Sequence, residues 1–240
     1  MAASSFDLAT YFATYTSVLQ RIDHSAVEGM AEAVFDAWRG KRTVYLCGNG
    51  GNAANSMHIA ADLVKLTAPA HGRRLRAVAL GETLAGLTAV ANDIDYEQVY
   101  AEQLRAFLSR HDVVIGLSTS GSSPNVLRAI EYANEAGAVT IGITGLGGHK
   151  LRASVRFPIV VTSSSVQQIE DATMVIGHLV CLIVRDRVLA SVGDTRSMDT
   201  SGAGVNVSMP LATAADRAPS PRQGQDLLAR KLGHTARAIS

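Results

Sequence analysis

The sequence predicts an α/β fold, a single domain on a five-stranded, mostly parallel sheet with helices on both sides. Three observations carry this. Five short β-rich apolar runs occur at residues 43–46, 76–80, 112–117, 139–143 and 157–161. Helical stretches such as residues 126–136 separate them, the alternation expected of βαβ units. The composition is 47% hydrophobic but only 5% aromatic, which suits helices packed closely on a buried parallel sheet.

The elements follow in order. Between residues 6 and 39, Leu8, Tyr11, Phe12, Tyr15, Val18 and Leu19, then Met30, Val34 and Phe35, recur at helical spacing. They predict an N-terminal extension of one or two helices ending near Gly40. The five strands and their intervening helices come next. Residues 166–188 form a long apolar stretch, predicted as a helix. Beyond about Gly193 the chain turns to Ser, Thr, Gly, Ala and Pro with scattered charge. Residues 1–193 are therefore expected to form the domain, and 194–240 a flexible tail with a short helix near 227–232.

Several function classes are disfavoured. The formal net charge of +1 supplies no bulk attraction to nucleic acid or acidic membranes. No apolar run reaches the roughly 18 residues that crossing a bilayer takes. The N-terminus lacks the basic-then-apolar pattern of a secretory signal. Cys47 and Cys181 lie singly in apolar runs, as in reduced cytosolic proteins. A cytoplasmic protein is expected.

Parallel sheets bind ligands at the carboxyl ends of their strands, and the polar motifs lie there. Cys47-Gly48-Asn49-Gly50-Gly51-Asn52 follows the first strand and opens a helix. Its glycines bring backbone N–H groups close to a ligand, and the helix start favours anions. It matches neither the Walker nor the dinucleotide pattern. Ser118-Thr119-Ser120-Gly121-Ser122-Ser123-Pro124-Asn125 follows the third strand. Five hydroxyls around a glycine make a phosphate cradle, and Pro124 suits a first helical turn.

His58 and Asp62 are four residues apart on the helix after the glycine loop, so they share a face. Such a pair can hold a divalent metal, act as acid and base, or simply hydrogen-bond at the surface. In the long apolar helix, His178 is costly to bury without partners. Asp171 lies nearly on its face and Glu170 about 80° away. Ala91-Asn92-Asp93, between the second and third strands, reads equally as a turn.

Taken together, GNGGNAANSMHIAADL, the Ala91–Asp93 segment, STSGSSPNVLRAI and IEDATMVIGHLV resemble the sugar isomerase (SIS) domain. Within it they resemble the phosphoheptose (sedoheptulose 7-phosphate) isomerases, over about residues 6–190. The resemblance implies a flavodoxin-like, three-layer α/β/α fold and a homotetramer with sites between subunits. It also implies one zinc ion per subunit on His58, Asp62, Glu170 and His178. Substrate binding would fall to Asn49, Gly50, Gly51, Asn92, Asp93, Ser118, Thr119, Ser120 and Ser123.

The family usually carries Glu at position 62, Gln at 170 and Ser at 52, where this chain has Asp62, Glu170 and Asn52. The resemblance implies aldose–ketose isomerisation of a sugar phosphate through a cis-enediol. Asp62, Glu170 and His178 are the candidate proton-transfer groups, with base and acid unassigned. Sedoheptulose 7-phosphate is the expected substrate. The alternatives are an octulose 8-phosphate, a pentose or hexose phosphate, or non-catalytic roles. Those roles are a sugar-phosphate sensor, for which no DNA-binding pattern is seen, or an adaptor for a replication-initiation protein.

Overall fold

The computed structural model describes residues 6–69 and 72–193; the expected tail at 194–240 lies outside them. Two helices come first, α1 (Leu8–Gln20) and α2 (His24–Arg39). Each starts where an aspartate can cap. The Asp7 carboxylate accepts from the N–H groups of Ala9 and Thr10, and the Asp23 carboxylate from those of Ser25 and Ala26. In α2 Val27, Met30, Ala31, Val34, Ala37 and Trp38 are buried, one helical stripe facing the sheet. Gly40 caps the end, as the sequence predicts.

The strands are β1 (Thr43–Gly48), β2 (Arg76–Ala79), β3 (Val113–Leu117), β4 (Val139–Gly145) and β5 (Phe157–Val161). All pair in parallel, in the order β2-β1-β3-β4-β5. This is the flavodoxin-like order, and its reversal point puts the crevice at the carboxyl ends of β1 and β3. Between strands run α3 (Gly51–Leu66), α4 (Leu84–Asp93), a 3-10 turn (Tyr96–Gln98), α5 (Ala101–Phe107), α6 (Pro124–Glu135) and α7 (His149–Ser154). The long helix α8 (Val166–Ser191) follows β5.

Alternation along the strands divides two cores. Val44, Leu46, Val113, Ile115, Ile141 and Ile159 face α2, α3 and α8, while Tyr45, Cys47 and Val114 face α5, α6 and α7. The result is the expected three layers. Asn92 and Asp93, for which a turn is one open reading of the sequence, end α4, in which Leu87, Val90 and Ala91 are partly buried against the core. No helix among the described residues is long and apolar enough to cross a membrane.

Candidate active site

The register pairs Gly48 with Leu117, so the glycine loop and the serine loop leave neighbouring strands at one level. At the first, Gly50 adopts φ +56°, ψ −123°, a region open in practice only to glycine. That turn starts α3 with no side-chain cap. The Glu170 carboxylate fills the space above Gly51. A Cβ built on Gly51 would meet its oxygens at 2.3 and 2.7 Å. A negative group there benefits from the positive end of α3. Asn55 ties the two helices together, its side-chain amide donating to the Glu170 carbonyl at 2.9 Å.

The serine loop is held differently. Gly121, at φ +61°, packs so tightly on Gly148 that a Cβ would lie 2.4 Å from the Gly148 Cα. Ser118 and Ser123 share a hydroxyl hydrogen bond of 2.9 Å. Ser120 Oγ accepts from the Ser122 N–H and lies 3.0 Å from the Ser122 hydroxyl. Ser123 precedes α6 without capping it through its side chain, and Pro124 opens the helix. Hydroxyls and an uncapped helix start thus converge, the chemistry of a phosphate site.

His58 and Asp62 project from α3, and His178 from α8. The two imidazole Nε2 atoms are 3.3 Å apart, and Asp62 Oδ2 lies 3.4 Å from His58 and 3.5 Å from His178. A tetrahedral zinc centre with bonds of about 2.0–2.1 Å has ligand–ligand edges of about 3.3–3.4 Å. The donor set and its spacing fit such an ion with three protein ligands and one open position. Glu170 is not part of this cluster.

The approach depends on Gly177. A Cβ there would come within 2.5 Å of Ile59, so only glycine lets α8 sit this close to α3 beside the two histidines. Behind the cluster, burial and then the Asp62 charge push the Cys181 thiol up to about 12.

Asn49 is half-buried and bonded to Asn125, Tyr96 and Tyr100. The tyrosines carry no pattern in the sequence, and Asn125 sits in the serine motif without a role that spacing alone reveals. Asn92 and Asp93 are exposed and bond to each other at 2.7 Å. Neither hydrogen-bonds to either loop among the described residues.

Residues 10–145 match the SIS domain family. The chain is 41% identical to the phosphoheptose isomerase of Nitratiruptor sp. over 149 residues, covering 62% of this chain and 79% of that one. It is 38% identical to the phosphoheptose isomerase of Akkermansia muciniphila over 165 residues, covering 68% and 85%. The phosphoheptose isomerase structure from Neisseria gonorrhoeae superposes with a TM-score of 0.69 at 29% identity, over 75% of this chain and 97% of that one. With two phosphate-suited loops at the sheet's reversal point and this kinship over most of its domain, the chain belongs to the SIS-domain family and its phosphoheptose isomerase branch, and is an aldose–ketose sugar-phosphate isomerase.

Proposed function

We propose that the chain interconverts sedoheptulose 7-phosphate and a heptose 7-phosphate through a cis-enediol, with a divalent metal, zinc by its donor chemistry, on His58, Asp62 and His178. The observation that carries this is the cluster itself, two imidazole nitrogens and one carboxylate oxygen at 3.3–3.5 Å from one another. When bound, such an ion supplies Lewis-acid polarisation of the substrate carbonyl and its neighbouring hydroxyl.

The rest is the work of side chains. Ser118, Thr119, Ser120 and Ser123 anchor the phosphate, so its binding energy orients the distant carbon chain. Asn49, Gly50 and Gly51 line the sugar, as do Asn92 and Asp93. Isomerisation removes one proton from C1 of the ketose and adds one to the C2 oxygen. It then removes the C1 hydroxyl proton and adds one to C2. Asp62 is engaged by both histidines, whereas the Glu170 carboxylate is outside the cluster. Glu170 is thus the carboxylate free to take the C1 proton and return one to C2, with His178 and Asp62 holding the oxygens' side. The fourth metal position given to Glu170 by resemblance becomes a proton-transfer position on this reading.

The active form is a cytoplasmic homotetramer with shared sites. The support is α4, which has no fully buried residue and leaves Leu84 72% exposed, with Ile94 just beyond its end 60% exposed. Its Asn92 and Asp93 make no hydrogen bond to either loop among the described residues.

The test is incubation with sedoheptulose 7-phosphate, with and without chelation and added zinc, following aldose phosphate by NMR. Turnover lost on chelation and restored by zinc is expected. No turnover sinks the heptose assignment and makes an octulose 8-phosphate the next substrate.

A further inference from the structure

We propose that Asn125 is a positioning residue for the isomerisation, orienting the Asn49 carboxamide so that one N–H is presented to the substrate. This rests on the reading of Asn49 as a substrate contact.

A backbone N–H fixes the polarity of the network. The Val126 N–H donates to Asn125 Oδ1 at 3.0 Å, and an N–H can only donate. That identifies the oxygen of Asn125 and therefore its nitrogen. The nitrogen then donates to Asn49 Oδ1 at 2.8 Å, and Asn125 Oδ1 accepts from Asn49 Nδ2 at 2.9 Å. A reciprocal amide pair of this kind leaves Asn49 one orientation, because a flip would set nitrogen against nitrogen and oxygen against oxygen.

Tyr96 reinforces it. Its hydroxyl lies 3.2 Å from Asn49 Oδ1 and can donate there, whereas Tyr100, 3.1 Å away, spends its one proton on the Gly48 carbonyl. Asn125 and Tyr96 thus fill both lone pairs of Asn49 Oδ1. Asn49 Nδ2 has spent one hydrogen on Asn125 and keeps its second, with no acceptor among the described residues. Asn125 Nδ2 likewise keeps a second hydrogen, but Asn125 is buried, so the Asn49 hydrogen is the spare donor on the half-buried glycine loop at the carboxyl edge of the sheet. It is available to a sugar oxygen.

The energetic logic follows from burial. Asn125 is 1% exposed, so both ends of its amide must be satisfied, and Val126 and Asn49 together do this. The bond spans 76 positions of sequence and ties the start of α6, where the phosphate cradle ends, to the glycine loop. The substrate's two ends are thus referred to one rigid frame.

A double-mutant cycle on the full chain tests this. N49A, N125A and N49A/N125A are compared by kcat and KM for sedoheptulose 7-phosphate turnover, with thermal melting of each. N125A is expected to lower kcat/KM roughly 10-fold, the size of one well-made hydrogen bond. The double variant should be no slower than N49A. If the two losses multiply, Asn125 acts independently of Asn49 and the proposal fails. Impaired N49A with normal N125A sinks the positioning role alone, whereas unimpaired N49A sinks the underlying substrate contact as well. Should N125A not fold, N125D keeps an acceptor for the Val126 N–H while losing the donor to Asn49. It should melt below the wild type, since a carboxylate at this buried position is costly, yet its folded fraction should show the same loss of kcat/KM, and full activity in it overturns the proposal.

Discussion

The serine loop and the His–Asp cluster are built in opposite ways. The loop is local. Ser118, Ser120, Ser122 and Ser123 lie within six positions and hydrogen-bond to one another, needing only a strand before them and a helix after. The cluster is assembled from two helices, with His58 and His178 separated by 120 positions, and their meeting depends on how α3 packs on α8. Local sites tolerate small shifts of the scaffold, whereas a cluster with 3.3–3.5 Å spacings does not.

The comparison breaks most sharply at the cluster itself. H58A, D62N and H178A should each lose the bound metal and reduce kcat by about 10²–10⁴-fold, the range for a lost acid–base or polarising group. Metal analysis of the purified variants and NMR turnover read this together. Variants that keep their metal, or keep their rate, would separate the cluster from the chemistry.

Gly177→Ala tests the packing behind it. The added methyl collides with Ile59, and overpacking costs about 1–3 kcal/mol. At about 2–4 °C per kcal/mol for a chain of this size, the melting point should fall by roughly 2–12 °C. Activity should fall further than the folded fraction does, since α8 must move by a good part of an ångström. An equal fall in both would show that the cluster does not depend on this contact.

The loop should behave differently. Ser118→Ala and Ser120→Ala each remove a hydroxyl proposed to meet a charged phosphate, a bond worth about 1.5–3 kcal/mol. KM should rise roughly 10- to 150-fold, with kcat changed less and little loss of thermal stability. A fall in kcat at constant KM would place these hydroxyls at the chemistry instead.

The prediction with the least consequence for activity concerns the cysteines. Burial pushes both thiols up to about 12, with the Asp62 charge adding to the shift at Cys181. At pH 8 the thiolate is scarce, so a thiol reagent should label the native chain about a thousandfold more slowly than the unfolded one. Rapid native labelling of Cys181 would show that α8 opens away from α3 behind the metal cluster.

Much of this was legible beforehand, for different reasons in different places. β1, β3 and β4 announce themselves as short apolar runs because strands buried on both faces must be apolar throughout. α2 and α8 are visible in their periodicity. The serine loop is visible because hydroxyls and glycine between strand and helix have few other uses. The end of α4 stayed open because Asn-Asp is as common in turns as at a helix end, and the helix is only partly buried, through Leu87, Val90 and Ala91.

By itself the sequence determined the α/β class, the positions of the strands and the two loops that follow β1 and β3. These depend on local periodicity and on residues whose backbone preferences act within a few positions. Tertiary structure alone decided that His58, Asp62 and His178 meet, that Glu170 stands over Gly51, and that Asn49 faces Asn125. Each is a contact between segments distant along the chain. Its existence rests on a helix–helix approach of a few ångströms set by Gly177 and on the 2-1-3-4-5 strand order, quantities that no short stretch of sequence encodes.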